Sequence, residues 1–347
     1  RPWWSSRLLA PPLVTLQRAW VLRDRAGRCG ACTSAAGALA SAFAVGPHLW
    51  RTRSHPWRGA RRALMDCFKL VLLDCDGVLW RGAEAIPGSA DAVRRLQRSG
   101  KRLAFVTNAS ARTRAAVAKR ISSLLGTPVP ASDVVTSGSV AAAAVAAHGG
   151  GAGAANAFVI GAEGLREELR LAGVFVVEPS LPMPFDEVAF RSLASTLPPV
   201  TAVVVGHDEA FSYATLAAAS LFLQRGGEEC LLIGTNPDVA NRDTAGYLVP
   251  EAGSLIAAVE AASSRNAIVV GKPSPEVIRQ LLERHGLKAE EVLVVGDRLD
   301  TDVRFGAGAG ARTCLVLTGV STREEAEALP FSDRPTYIRD RLQDVVL

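Results

Sequence analysis

The chain contains 347 residues, of which 48% are hydrophobic and 21% are charged, and this composition excludes an intrinsically disordered protein. Its formal net charge of +5 is unevenly distributed, because residues 1–64 contain eleven arginines and a single acidic residue. Residues 65–347 therefore carry a net negative charge, and we predict no nucleic-acid partner.

Residues 1–64 are predicted to be an N-terminal extension, for which two interpretations stay open. The arginine-rich, acid-poor composition is typical of a transit peptide, which would direct the protein to a mitochondrion or plastid. Alternatively, this segment is a leader attached to a protein that starts at Met65, directly before the first predicted strand. The second interpretation predicts a cytoplasmic protein, which fits the cysteines scattered through apolar strands.

One apolar run lies in this extension, at residues 32–45. It is shorter than the roughly 20 residues that a membrane-spanning helix needs. No membrane partner is therefore predicted.

From Met65 onward, short apolar runs alternate with helical patterns, which is typical of a parallel sheet with helices on both faces. Predicted strands include LVLL (70–73), LAFV (103–106), AIVV (267–270) and VLVV (292–295). Helices are predicted over 90–100 and after Lys272, where Ser274 suits an N-cap and Pro275 the first helical position. The predicted fold class is α/β, with a doubly wound, mostly parallel, Rossmann-like sheet.

Each of these four strands is followed by polar residues. Asp74 and Asp76 follow the first strand, Thr107 and Asn108 the second, Lys272 the third and Asp297 the fourth. Because ligands of open α/β sheets bind outside the carboxyl ends of the strands, we expect these side chains to converge at one edge.

The 165 residues between Thr107 and Lys272 are far more than one strand–helix unit requires. Three more apolar runs, AFVIG, AVVVG and CLLIG, are predicted strands within this interval. We therefore predict a second α/β domain, inserted into the first, over 150–266. The core domain would comprise residues 65–149 and 267–347.

Three or four carboxylates at one sheet edge require a cation. Two like charges about 4 Å apart repel by roughly 4 kcal/mol at an effective dielectric constant near 20. Carboxylates and water select Mg²⁺, so Asp74, Asp76, Asp297 and Asp302 are candidate metal-site residues. The ammonium of Lys272 and the hydroxyl of Thr107 would then face a phosphate dianion.

The segments DCDGV, TN, GKPS and GDRLDTD, in this order and each after a strand, resemble the four motifs of haloacid dehalogenase-like phosphatases. The resemblance implies that Asp74 is a nucleophile that accepts the phosphoryl group, and that Asp76 is a general acid and base. It also implies that Thr107, Asn108 and Lys272 hold the phosphoryl group.

The same resemblance implies the ligands of the metal. Mg²⁺ would be bound by Asp74, the backbone carbonyl of Asp76 and Asp297, with Asp302 supporting them.

Segments of the insertion, VGHDEAFSYATL, GTNPD and GSLIAAVE, resemble the large cap of the subgroup that contains phosphoglycolate, pyridoxal and 4-nitrophenyl phosphatases. This resemblance implies a small phosphorylated metabolite as substrate and a homodimer formed through the cap. One departure is Ala109, where the subgroup usually has asparagine.

Arg242 is the candidate substrate-binding residue of the cap. Its guanidinium could pair with the carboxylate of 2-phosphoglycolate, or it could be a solvated surface residue. Residues 235–255 contain no histidine and one aromatic residue, Tyr247, which favours 2-phosphoglycolate over the planar ring of pyridoxal 5′-phosphate. Alternatives are a pyridoxal 5′-phosphate phosphatase, a broad 4-nitrophenylphosphatase-like enzyme and an inactive metabolite-binding homologue.

Overall fold

The computed structural model describes residues 67–151, 153–242 and 246–346, apart from the side chain of Arg242. The predicted extension over residues 1–64 therefore lies outside the described residues. Among the described helices, none has the length and apolar character needed to cross a bilayer.

The first sheet has six parallel strands in the order β15-β14-β13-β1-β4-β5. Its strands are β1 (Leu70–Leu73), β4 (Arg102–Thr107), β5 (Val134–Thr136), β13 (Val292–Gly296), β14 (Arg312–Val316) and β15 (Tyr337–Arg339). β1 lies in the middle and is buried on both faces, as its continuous apolar run predicts.

Helices cover both faces of this sheet, and they form the core of the first unit. One face packs against α1 (Ser89–Arg98), α2 (Arg114–Leu125) and α11 (Gln343–Val346). The other face packs against α8 (Glu276–His285) and α9 (Arg304–Gly308), which follows a π-helical turn at Leu299–Val303. A short helix α10 (Arg323–Ala328) precedes β15. This arrangement confirms the predicted α/β class and the doubly wound parallel sheet.

The second sheet has five parallel strands in the order β12-β9-β8-β6-β7. Its strands are β6 (Asn156–Ile160), β7 (Phe175–Val177), β8 (Ala202–Val205), β9 (Leu231–Gly234) and β12 (Ile268–Val269). On one face lie α3 (Ser137–His148) and α4 (Glu163–Leu171). On the other lie α5 (Glu187–Thr196), α6 (Tyr213–Gly226) and α7 (Ala252–Ser263).

Two antiparallel hairpins complete the described structure. β2 (Trp80–Arg81) pairs with β3 (Glu84–Ala85) directly after β1. β10 (Ala240–Arg242) pairs with β11 (Leu248–Pro250) directly after β9. Each hairpin therefore follows the carboxyl end of a strand that is paired on both sides, β1 or β9.

The run AIVV is a strand, but the prediction that it lies beside the other three strand ends in the core sheet is wrong. Ile268 and Val269 pair with Ile233 and Gly234 in the second sheet. Likewise, Ala141, Ala142 and Val145 of α3 pack against the second sheet. The predicted limits of 150 and 266 for the insertion stay a prediction, and this packing favours residues 137–270 instead.

The start of α8 also differs from the expectation. The helix begins at Glu276, with Pro275 as its N-cap residue, so it starts one residue later than predicted. Ser274 donates its backbone N–H to the carbonyl of Gly271, and residues 271–274 form a turn.

Candidate active site

The site forms where the carboxyl ends of the two sheets face each other. Asp74 directly follows β1, and its backbone N–H donates to the carbonyl of Val295 in β13. Asn236, two residues beyond β9, donates its side-chain amide to the carbonyl of Asn108, which follows β4. Residues at the strand ends of both sheets therefore meet in one place.

Lys272 links two of the buried carboxylates. Its Nζ contacts Asp74 Oδ1, and it donates to Asp302 Oδ1 at 2.7 Å and to the carbonyl of Val106 at 3.0 Å. The side chain is 5% exposed, so these bonds are shielded from water. The residue reaches the core from the turn after β12 of the second sheet, and the predicted convergence of Lys272 with Asp74 is observed.

Asp74, Asp297 and Asp302 form a cluster in which one oxygen from each carboxylate lies within 4.8 Å of the others. All three residues are buried. Asp297 Oδ2 accepts the backbone N–H of Val320 at 2.8 Å, and Asp302 Oδ2 accepts that of Arg298 at 3.2 Å. We name these three residues the carboxylate cluster.

The protonation behaviour of the cluster follows from its burial. Burial raises the pKa of Asp74 well above its ordinary value, Lys272 opposes this, and Asp302 and Asp297 raise the pKa further. Burial and the charge of Asp302 raise the pKa of Asp297 to about 6. Burial lowers the pKa of Lys272, but Asp302 and Asp74 outweigh it, and the net shift is upward.

The residues present fit a divalent cation. Three ionised carboxylates and one ammonium leave a net charge of −2 in a buried site, which a cation would neutralise. Oxygen ligands at this density suit Mg²⁺. Asp74 and Asp297 would be its direct ligands, and Asp302, which is bonded to Lys272, would complete the cluster.

Asp76 lies apart from the carboxylate cluster. It is exposed, and its Oδ1 accepts a hydrogen bond from Trp80 Nε1 at 2.7 Å. Its side chain does not belong to the cluster found among the described residues, so its predicted part in metal binding would fall to the backbone carbonyl alone.

Thr107 and Asn108 occupy the end of β4. Thr107 is buried, and its Oγ1 accepts the backbone N–H of Ala109 at 3.2 Å. The side chain of Asn108 bonds to the backbone of Lys272, accepting from its N–H at 2.9 Å and donating to its carbonyl at 3.1 Å. In this conformation Asn108 holds the lysine in place, and its predicted contact with the phosphoryl group stays a prediction.

Two residues of the site, Asp238 and Arg298, were missed by the sequence reasoning. Asp238 Oδ2 accepts from Asn108 Nδ2 at 3.0 Å, and its Oδ1 lies 3.8 Å from Arg298. Arg298 also donates two hydrogen bonds to Asp300. The sequence signal was available, because Asp238 lies beyond β9 and Arg298 lies just beyond β13, and ligands of parallel sheets bind outside the carboxyl ends of the strands.

Arg242 lies at the end of β10, and its side chain is outside the described part of the structure. Its predicted contact with the substrate therefore stays a prediction.

Family models match two stretches of the chain. A model described as haloacid dehalogenase-like hydrolase matches residues 71–175, and a second, described as HAD-hydrolase-like, matches residues 269–345. Together the two stretches contain the whole carboxylate cluster, Asp76, Asn108 and Lys272.

Curated and solved proteins extend the comparison. Glycerol-3-phosphate phosphatase of Gallus gallus is 41% identical over 275 residues, which is 79% of this chain and 87% of that protein. Chronophin of Homo sapiens is 43% identical over 260 residues, 74% of this chain and 84% of that protein. A glycerol phosphate phosphatase from Mycobacterium tuberculosis, solved in complex with magnesium, has a TM-score of 0.68 at 30% identity, covering 81% of this chain and 77% of that one.

The chain therefore belongs to the haloacid dehalogenase-like hydrolases, and the predicted class, a phosphatase, is confirmed. Its predicted dependence on Mg²⁺ is also confirmed, because the family membership agrees with the carboxylate cluster at the motif positions.

Proposed function

We propose that the protein is a phosphomonoesterase in which the Asp74 carboxylate attacks the phosphorus of a small phosphorylated metabolite. The bond from phosphorus to the leaving oxygen breaks, and an aspartyl-phosphate forms on Asp74. Water then attacks the phosphorus, which releases inorganic phosphate and regenerates the carboxylate. The observation that carries this proposal is the contact of Lys272 Nζ with Asp74 inside the carboxylate cluster.

Each surrounding group has a defined part in this reaction. Lys272 provides a fixed positive charge beside the nucleophile, where it stabilises the charge on the phosphoryl oxygens. Asp76 donates a proton to the leaving oxygen and later accepts one from the attacking water. Mg²⁺, when held by Asp74 and Asp297 beside Asp302, supplies charge that offsets repulsion between the carboxylates and the phosphoryl group.

For the substrate, we propose a small alkyl phosphate, with two candidates. Arg242 supports 2-phosphoglycolate, because its guanidinium could pair with the carboxylate of that compound. The name of the Gallus gallus relative supports glycerol 3-phosphate. Asp238 supports the same compound, because its carboxylate next to Asn108 would accept a hydrogen bond from a hydroxyl and repel a second carboxylate. We place glycerol 3-phosphate first.

Phosphate release from a panel of substrates tests both the proposed reaction and the proposed substrate. The panel contains glycerol 3-phosphate, 2-phosphoglycolate, pyridoxal 5′-phosphate and 4-nitrophenyl phosphate, each assayed with Mg²⁺. We expect the largest kcat/KM for glycerol 3-phosphate. A larger value for 2-phosphoglycolate that falls selectively in Arg242→Ala would favour that substrate instead.

Asp74→Asn is the matched test of the chemistry, since the amide keeps the shape of the side chain but cannot attack phosphorus. We expect activity on every substrate to fall by roughly a thousandfold or more while thermal unfolding still shows a folded protein. Substantial turnover by the folded variant would contradict the nucleophile. Absence of turnover by the unmodified protein would favour an inactive metabolite-binding homologue.

We also propose a homodimer formed through the insertion and a cytoplasmic location. The insertion has exposed apolar side chains at Met183, Val188 and Tyr213. The rings of Tyr213 and Phe185 pack edge to face, with their centroids 4.8 Å apart. Such a surface would be covered in a dimer. Analytical ultracentrifugation of Tyr213→Ser tests the dimer, and we expect this variant to sediment as a monomer.

The cysteines support the proposed cytoplasmic location. Cys75, Cys230 and Cys314 are buried free thiols, which suit a reducing compartment.

A further inference from the structure

Trp80 holds the carboxylate of Asp76 through a single, short side-chain hydrogen bond. Its Nε1–H donates to Asp76 Oδ1 at 2.7 Å, and its side chain is almost fully buried at 2% exposure. The backbones of the two residues also form a bridge within the turn that follows β1. Asp76 is therefore bound to a rigid neighbour four residues along the chain.

The indole ring is itself fixed from the side of α2. The guanidinium carbon of Arg120 lies 4.4 Å from the ring centroid, and Arg120 Nη2 donates to the carbonyl of Gly82 in the turn of the β2–β3 hairpin. Trp80 also donates its backbone N–H to the carbonyl of Cys75 and accepts from the N–H of Gly77. The direction of the Nε1–H bond is thus set by Arg120 over the ring and by the backbone hydrogen bonds of the turn.

The chemistry of indole limits what Trp80 can do. Its Nε1 is a donor and has no acceptor function, so Trp80 cannot take up or deliver the proton of a reaction. It can, however, occupy one oxygen of Asp76 and leave the other oxygen to carry a proton. It also holds this carboxylate apart from the carboxylate cluster.

We propose that Trp80 is a positioning residue for the general acid. Its Nε1–H binds Oδ1 of Asp76 and directs the other oxygen toward the leaving oxygen of the substrate, with Arg120 fixing the indole ring. This inference rests on the proposed role of Asp76. It goes beyond that role because it assigns the orientation of the acid to two residues that take no direct part in the reaction.

Trp80→Phe tests the inference, because phenylalanine keeps an aromatic ring but has no N–H. The variant is assayed with an alkyl phosphate, glycerol 3-phosphate or 2-phosphoglycolate, whichever the enzyme hydrolyses faster, and with 4-nitrophenyl phosphate. An alkoxide leaves only with a proton, whereas 4-nitrophenolate leaves without one. We expect kcat/KM for the alkyl phosphate to fall about tenfold to a hundredfold, with little loss of kcat/KM for 4-nitrophenyl phosphate. The comparison uses kcat/KM because it reports the step in which the leaving group departs, whereas hydrolysis of the aspartyl-phosphate is common to both substrates.

Two further variants separate positioning from structure. Arg120→Met removes the charge over the ring but keeps the indole N–H, and we expect a smaller loss with the same substrate pattern. Its matched control is Arg339→Met, which removes a similar contact of an arginine with the ring of Tyr337 on the edge strand β15. This control variant should hydrolyse both substrates as fast as the unmodified enzyme. If Trp80→Phe does not fold, Arg120→Met carries the test.

A double variant distinguishes failure of this inference from failure of the proposed function. If Trp80 acts through Asp76, Trp80→Phe should cause no further loss in an Asp76→Asn background. Equal losses of kcat/KM on both substrates, or additive losses in the double variant, would overturn the positioning role alone. Full activity of Asp76→Asn on the alkyl phosphate would instead overturn the proposed acid.

Discussion

At the scale of single residues, the site is organised around one ammonium among three carboxylates. Lys272 contacts Asp74 and Asp302, and all three side chains are at most one-tenth exposed. Burial of unpaired charges is unfavourable, so each partner depends on the other for its ionised form. The lysine is therefore expected to stabilise the fold as well as the phosphoryl group.

Lys272→Met should destabilise the metal-free protein by about 3–5 kcal/mol, because it removes the ammonium that pairs with two buried carboxylates. The free energy of unfolding is measured in urea with EDTA present. Lys69→Met is the matched control, since Lys69 pairs with Glu291 at the surface and is 63% exposed. We expect that variant to change stability by less than about 1 kcal/mol. Equal effects of the two substitutions would contradict the electrostatic account.

The raised pKa of Asp297 predicts a pH-dependent effect of the metal. Because the folded state holds this proton up to about pH 6, stability of the metal-free protein should decrease as pH rises from the unfolded pKa of about 3.9 through about 6. Mg²⁺ requires the ionised carboxylate, so its binding should reverse that loss.

The measurement is the increase in Tm on addition of Mg²⁺. This increase should be larger at about pH 7.5 than at about pH 5. Asp333, which is exposed and distant in sequence from the cluster, provides the control variant Asp333→Asn, in which the pH dependence should persist. An increase in Tm that is independent of pH would contradict the assignment of Asp297 as a ligand.

At the scale of elements, the turn after β1 brings the first motif against the fourth. Gly77 has a φ of +77°, and a Cβ built on it would lie 2.4 Å from Asp297 Oδ2. A side chain at this position is therefore excluded both by the backbone conformation and by the approach of the carboxylate. The turn can therefore approach Asp297 only because residue 77 has no side chain.

Gly77→Ala should displace Asp297 and weaken Mg²⁺ binding by roughly tenfold to a hundredfold. The reason is the overlap of the new methyl group with the carboxylate. Gly82→Ala is a close control, because Gly82 also has a positive φ, +56°, but a Cβ there would contact nothing within 4 Å. Titration of activity with Mg²⁺ compares the two variants. A similar loss of affinity in both would show that backbone strain alone is responsible.

At the scale of the whole molecule, side chains of the insertion contact the core both at the site and away from it. Asp238 and Asn236 reach the end of β4 at the site, and Glu168 of α4 reaches the start of α2. Glu168 is 1% exposed and accepts from both the backbone N–H and the Nε of Arg114, at 2.6 and 2.9 Å. These contacts hold the insertion in place over the strand ends of the core sheet.

Glu168→Gln should therefore lower stability by about 1.5–3 kcal/mol, since it removes the buried carboxylate that accepts two hydrogen bonds from Arg114. It should also lower kcat/KM, because the insertion would no longer be held over the site. Glu178→Gln is the control, as Glu178 pairs with Arg166 and Arg170 of the same helix but is 54% exposed. Urea unfolding and phosphate release are measured for both. Loss of stability in Glu178→Gln of the same size would contradict a special role for the buried contact.

The sequence by itself determined the fold class and most of the carboxylate cluster. Asp74 and Asp297, two of its three residues, directly follow the parallel strands β1 and β13, and Thr107 ends the parallel strand β4. The carboxyl ends of such strands must share an edge. This inference needs only local patterns and one general property of parallel sheets. The motif residues could therefore be found without knowing any distance between them.

Only the tertiary structure decided which sheet each strand joins and where each site side chain points. The apolar pattern of the run 267–270 suits either sheet equally, and pairing with β9 places it in the second one. The same holds for α3, whose small apolar residues pack against the second sheet. Sequence periodicity does not specify side-chain direction, because neighbours in space set it. The hydrogen bond of Trp80 to Asp76 and that of Asn108 to Asp238 could therefore be seen only in the folded protein.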